Sequence, residues 1–357
     1  MRVKFFLVAA VFFLFICGCS NNQHNIKIKS EKPPLSVITQ IGNNGTNQTD
    51  NKVFNQNVGD AFCKNALNPL KIETYDGSGQ AMHPKVLYFD TPWNGWKYWM
   101  SYTPYPNGKG NFENPSIAVS QDGLDWHIPK GLKNPIIRPP SDAGRGGHYS
   151  DPHIVMNEHS MEMWYRYNPA NNKNNKINCI YMVTSMNGVS WASPKLILND
   201  QYKYFSPAVL YENGVYKMWF SDTDGKLHYR ESNNLTTWSA VETVNLELNG
   251  YRTWHQDIIH TQSGYEVIFS TFKNGEFSLN NQQLYYSISP DGINFGKPVL
   301  ILSPSSEKNQ LDNQMIYRSS LLEVNGAYKI FYSAMNKNRQ WHIFQTDINF
   351  DKAHTII

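Results

Sequence analysis

A short motif recurs four times along the chain, and it constrains the fold more than any other feature. It reads SQDGLDW at residues 120–126, SMNGVSW at 185–191, SNNLTTW at 232–238 and SPDGINF at 289–295, at intervals of 65, 47 and 57 residues. Self-similarity at such a spacing marks a repeat architecture. Each copy carries Asp, Asn or Gly where a tight turn needs left-handed backbone, followed by an aromatic residue able to pack back on the hairpin.

Upstream of each motif lie two strand-like runs. The third repeat gives FSPAVLYENGVYKMWFSD from Phe205, the fourth HQDIIHTQSGYEVIFSTF from His255, and a fifth, without the motif, YRSSLLEVNGAYKIFYSAM from Tyr317. Turn signals such as Asn213-Gly214, Ser263-Gly264 and Asn325-Gly326 part the two runs. A third run leads into the motif, as in CIYMVTS, and a fourth follows it, as in PKLIL. Four antiparallel strands per unit and five units predict an all-β fold, a five-bladed β-propeller of four-stranded blades, with inner strands opening near His83, Asp151, Ser206, Asp257 and Arg318. No stretch sustains a capped helical period.

The repeats occupy only part of the chain. Arg2 and Lys4 precede an apolar run from Phe5 to Ile16, which ends in Cys17, Gly18, Cys19 and Ser20. Residues 1–18 therefore read as a signal peptide, too short to span a bilayer. The ending resembles a bacterial lipobox, which makes Cys19 the expected lipidation site and implies an exported protein, lipid-anchored to the cell membrane and facing outside the cytoplasm. Residues 19–66 are polar and read as a flexible tether, leaving 67–357 for the propeller. Composition agrees with a β-domain: 14% of residues are aromatic and 17% charged. A net charge of +3 offers no polybasic field for nucleic acid. Cys63 and Cys179 are too few for a disulfide framework.

Blade order also assigns the faces. If each first strand starts at the mouth of the channel, the motif turns lie at the far end and are structural. The links between blades, and those between second and third strands, lie at the mouth. That face gathers His83, His148, Tyr149, Arg166, Tyr204, Trp254, His255 and Arg318 as candidate substrate-binding residues. Aromatic faces stack on a sugar ring, while carboxylates and arginines satisfy its hydroxyls. Asp151 and Asp257 form the candidate catalytic pair, since glycosidic hydrolysis asks for two carboxylates in different environments. His148, His153, His255 and His260 show no spacing along the chain that specifies a metal, and no cofactor is called for beyond room for a structural cation in the channel.

First strands such as YSDPHIV and FSPAVLY, followed by SxDGxxW turns, resemble the five-bladed glycoside hydrolases of families 43, 32, 62, 68, 117 and 130 over residues 80–350. The motif is also similar to the Asp box of sialidases, one residue shorter. The resemblance implies a catalytic Asp opening the first blade and a Glu acid from a later one. Here the first blade opens with His83-Pro84 and the third with Ser206-Pro207, so only Asp151 and Asp257 match acidic positions. The leading expectation is a surface-anchored, monomeric glycoside hydrolase that cleaves or trims a glycan. The alternatives are a non-catalytic glycan-binding lipoprotein and a structural or protein-binding propeller.

Overall fold

A computed structural model describes residues 62–170, 179–273 and 282–349; the signal peptide, Cys19 and most of the tether lie outside them. The described residues form five antiparallel sheets. Blade 1 comprises β1 (Ala81–Trp93), β2 (Trp96–Pro104) and β3 (Ser116–Ser120), and a bridge from Val119 to His127 extends its outer edge. Blade 2 runs β4 (His148–Met156), β5 (Met161–Asn168), β6 (Cys179–Ser185) and β7 (Lys195–Leu198). Blade 3 runs β8 (Phe205–Glu212), β9 (Val215–Ser221), β10 (Leu227–Ser232) and β11 (Glu242–Thr243). Blade 4 runs β12 (Tyr251–Thr261), β13 (Gly264–Lys273), β14 (Gln283–Ser289) and β15 (Val299–Leu302). Blade 5 has β16 (Met315–Val324), β17 (Ala327–Met335) and β18 (Trp341–Ile348).

The first strands touch in a closed ring, β1 to β4, β8, β12, β16 and back to β1. The expected five-bladed propeller is thus the fold. Its last blade is completed from the other end of the domain: Cys63 pairs antiparallel with Ile348, and Leu70 N donates to Ile343 O at 2.8 Å. Phe62 and Cys63, assigned to the tether on composition, are both core residues against blade 5. Cys63 and Cys179 are free and buried, and burial pushes the Cys63 thiol up to about 12.

The repeated motif builds the same Ser/Asx turn at each copy, although in the third Trp238 Nε1 has no hydrogen-bond partner. Ser185 Oγ accepts from Gly188 N at 2.8 Å, and Asn187 Oδ1 accepts from the amides of Val189 and Ser190. Trp191 Nε1 then donates to Gly188 O at 3.1 Å. The fourth copy has Phe295 in place of Trp, and there the donor to Gly292 O is Trp219, from the second strand of blade 3. The fourth motif position has left-handed backbone in every copy, with φ of 81° at Gly123, 72° at Gly188, 63° at Leu235 and 77° at Gly292.

These turns join the blades. Trp99, on the second strand of blade 1, lies flat against Gly188 of blade 2, where a Cβ would stand 2.1 Å from its ring. Trp219 meets Gly292 of blade 4 in the same way, Trp164 packs with Leu235 and Trp238 of blade 3, and Phe331 of blade 5 reaches Gly123 of blade 1. Trp99, Trp164, Trp219 and Phe331 are each at most 1% exposed. Truncating one would cost about 3–5 kcal/mol.

Gly188→Ala should therefore lower stability by about 3 kcal/mol, from left-handed strain plus the clash with Trp99. Gly214→Ala, with φ +82° and open space around it, should cost only about 1 kcal/mol of strain. Urea midpoints of the two variants measure the difference.

Candidate functional site

Every first strand carries a bulge just inside the mouth, between Met82 and Lys85, Ser150 and His153, Phe205 and Ala208, Thr253 and His255, and Ile316 and Ser319. Bulges re-aim side chains and cluster beside functional sites. Three of these bulges place a residue before proline in left-handed backbone: His83 (φ 60°), Asp151 (φ 56°) and Ser206 (φ 51°). The following proline already keeps that residue out of the right-handed helical region. A non-glycine residue there costs about 1–2 kcal/mol, held by the surrounding sheet.

The bulges converge on a pocket of about 250 Å³ at the mouth. Its floor holds His83, Asp151 and His255, all within 4% of full burial. Arg166, Phe205, Trp254 and His148 line it from blades 2 to 4, and Met82, Tyr105, Met335 and Trp341 from blades 1 and 5. Asn107, Gly108, Glu113, Tyr317 and Arg339 complete the lining.

Asp151 organises the floor, and its two oxygens differ. Oδ2 accepts from Arg166 Nε at 2.8 Å and, more weakly, from Ser206 N at 3.4 Å. Oδ1 has no hydrogen-bond partner, and stands 3.7 Å from each of His83 Nε2, His255 Nδ1 and Arg318 Nη1. Burial is the largest single influence and opposes charge on Asp151, but Arg166, His83, His255 and Arg318 together outweigh it and hold the carboxyl well below the usual carboxylate range. Burial pushes His83 down to about 3 and His255 well below its ordinary value, so both rings are neutral near pH 7. His83 Nδ1 is fixed by Thr103 Oγ1 at 3.1 Å, which points Nε2 at the pocket.

Two neutral imidazole nitrogens and a carboxylate oxygen therefore face one point, buried and unsatisfied, within 4.8 Å of one another. Separations of 3.7 Å are too long for hydrogen bonds and close to the distance of about 3.4 Å between two ligands on a tetrahedral ion with bonds near 2.1 Å. The donor set fits a divalent cation of the zinc type, with Thr103 orienting His83 from behind. Spacing along the chain did not reveal this cluster, because its members come from three blades.

Beside it, burial and the charge of Asp151 hold the Glu113 carboxyl well above its usual range, and its Oε2 is 3.8 Å from His83 Nδ1. Burial likewise raises the Tyr317 hydroxyl well above its ordinary value. Trp254 Nε1 donates to Tyr317 Oη at 2.8 Å, which leaves the phenol's own hydrogen for another acceptor. Trp254 stacks on Phe205, with centroids 5.1 Å apart, and the Arg166 guanidinium lies over the Phe205 ring, 4.9 Å from its centroid.

Of the expected site residues, Asp151, His83, His148, Arg166, Trp254 and His255 line this pocket. Arg318 lies beneath it against Asp151, 1% exposed. Asp257 lies elsewhere in the channel: Lys85 Nζ binds both its oxygens at 2.8 and 2.9 Å, and Leu321 N donates to Oδ2. Tyr204 is fully buried, its hydroxyl held by Asp200 and Arg230. Tyr149 packs among Tyr165 and Tyr167, away from the lining. Glu113 escaped sequence reasoning, although it lies in the link between second and third strands, which blade order assigns to the mouth.

With this geometry in view, comparison with known proteins is informative. No model of a known protein family matches the chain. An A type blood N-acetyl-α-D-galactosamine deacetylase of Flavonifractor plautii is 27% identical over 318 residues, covering 72% of this chain and 40% of that protein. The chain thus spans about two fifths of the length of this curated relative. The crystal structure of an N-acetylgalactosamine deacetylase from F. plautii, in complex with blood group B trisaccharide, superposes with a TM-score of 0.73 at 22% identity, over 83% of this chain and 98% of that one. An exo-1,5-α-L-arabinanase from a bovine ruminal metagenomic library superposes with a TM-score of 0.56 at 16% identity, over 77% and 95%. The chain shares the five-bladed propeller of these carbohydrate-active enzymes.

If the floor is a metal site, the full chain should bind one equivalent of zinc and melt at higher temperature with it. Asp151→Asn and His255→Ala should each weaken binding a hundredfold or more. Equilibrium dialysis and thermal melts with and without chelator check both.

Proposed function

We propose that this protein is a glycan-processing hydrolase that removes an N-acyl group from an amino sugar at the propeller mouth. One observation carries the reading: a single free oxygen of Asp151 faces two neutral, unpaired histidine nitrogens beside a raised carboxyl. The 27% identity to an N-acetylgalactosamine deacetylase supports it. His83, Asp151 and His255 would hold a divalent cation, which would supply Lewis-acid polarisation of a carbonyl oxygen.

The chain's own groups handle the rest. Amide hydrolysis adds water across the C–N bond, hydroxyl to the acyl carbon and proton to the departing nitrogen, and Glu113, its carboxyl raised well above the usual range by burial, is the group in the pocket suited to relay that proton. Tyr317, kept protonated and held by Trp254, donates toward the negative charge that develops on the acyl oxygen. Trp254, half-buried in the pocket lining, offers an apolar ring to the sugar.

Cleavage of a glycosidic bond is the second reading. It is favoured by the split between a raised Glu113 and a lowered Asp151, the pattern of an acid and an ionised partner. Against it, one oxygen of Asp151 is committed to Arg166 and the other faces the two histidines.

The test is to incubate the full chain, with zinc and with chelator, on N-acetylhexosaminides and on arabinosyl, xylosyl, fructosyl, galactosyl and sialyl glycosides. Free acetate without glycosidic cleavage is expected, lost with chelator. Asp151→Asn and Glu113→Gln should lower the rate by about a hundredfold or more with folding intact. Released sugar with no acetate would establish the second reading instead.

We also propose that the enzyme works outside the cytoplasm, anchored through lipid on Cys19. Cys19→Ala should abolish palmitate labelling and move the protein from the membrane to the soluble fraction.

A further inference from the structure

The pocket's charge is out of balance. Two carboxylates, Asp151 and Glu113, face two guanidiniums at the floor, and Asp151 meets both, Arg166 at 2.8 Å and Arg318 at 3.7 Å. His83 and His255 add no compensating negative charge, and the nearby Lys85 and Asp257 cancel one another. A third guanidinium, Arg339, stands at the rim. Among the described residues no carboxylate lies within ion-pair distance of it. A cation on the floor would tilt the balance further.

Arg339 is also held where it is by the fold. Its backbone is left-handed, with φ 61°, which is rare for a long side chain. Asn336, only 3% exposed, builds the turn: its carbonyl accepts from Arg339 N at 2.9 Å, and its Oδ1 accepts from Asn338 N and Gln340 N at 2.9 Å each. Asn313 Oδ1 ties the same turn to the body of the domain through Lys337 N at 3.1 Å. A strained conformation fixed by buried partners therefore presents an exposed, unpaired guanidinium to the mouth of a pocket with surplus positive charge.

We propose that the natural substrate is anionic, an N-acylated amino sugar bearing a carboxylate or sulfate, on itself or on its neighbour, that Arg339 binds. The reaction assigned to the substrate rests on the function proposed above; the preference for a negative charge does not. Guanidinium pairs bidentately with planar carboxylates and with sulfate oxygens, and a partly enclosed positive pocket raises the local concentration of anions. A neutral N-acetylhexosamine would leave Arg339 without a partner.

The test compares an N-acetylhexosamine, its 6-sulfate and the corresponding uronate on the full chain loaded with zinc, by calorimetric binding and by acetate release. At least one anionic sugar should bind tenfold or more tightly than the neutral one, with a preference that weakens as salt is added. Arg339→Gln should reduce that preference to about twofold, and Arg339→Lys, which keeps charge but not the planar fork, should retain part of it. Which anion is preferred identifies the source of the charge. Equal binding of neutral and anionic sugars, or a preference that survives Arg339→Gln, would overturn the inference. Anion-selective binding without any acetate release would instead sink deacylation and leave this inference standing.

Discussion

The contact on which the structure depends is that between an aromatic ring on the second strand of one blade and the motif turn of the next. Trp99 covers Gly188, Trp219 covers Gly292, and Phe331 reaches Gly123, so the junction between the last blade and the first is made like those that join blades 1 to 4. An isolated four-stranded sheet cannot bury both its faces, and here each blade supplies the cover for its neighbour. The glycine is needed twice over at Gly188, for a left-handed φ and for the absence of a Cβ under the indole. With Phe62 and Cys63 completing the fifth blade, the ring is closed from both ends of the domain.

Closure sets the geometry of the mouth. Five bulged strands meet around one axis, and the bulges turn one or two side chains from each toward the same small volume. Locally this is unfavourable: His83 and Asp151 adopt left-handed backbone, and several charged or polar atoms are buried without hydrogen bonds. Strain and unsatisfied groups at the one place where five strands converge are what a binding site requires, since groups already satisfied by the protein have nothing to offer a ligand. The same residue types deeper in the channel behave differently. Asp257 is saturated by Lys85 and Leu321.

Electrostatics at the mouth follow from one buried carboxylate. Asp151 stays ionised with Arg166 against one of its oxygens, and burial together with the charge of Asp151 raises the Glu113 carboxyl. Burial does the remainder by keeping the two histidines neutral, which leaves lone pairs on nitrogens that would otherwise carry protons. The arrangement separates one charged and several uncharged titratable groups within a few ångströms, the condition under which acid, base and ligand roles can coexist near pH 7.

The repeat, the strand runs and the aromatic turns were legible in the sequence because they depend on local patterns: period-2 alternation, turn residues at fixed offsets, and a motif copied four times. From these follow the five blades, the mouth face and the convergence there of Asp151, His83, His255, Arg166 and Trp254. The sequence does not determine which of two similar aspartates, each near the start of a first strand, reaches the pocket. That depends on bulge register: Asp151 falls in its bulge, whereas Asp257 lies two residues past the pocket-lining His255 and meets Lys85 of another blade, 172 positions away in the chain. Nor does linear spacing join His83, Asp151 and His255 into one ligand set, or bring Glu113 from a loop to its edge. Those juxtapositions arise only when the ring closes, because ligand geometry and desolvation are properties of neighbours in space.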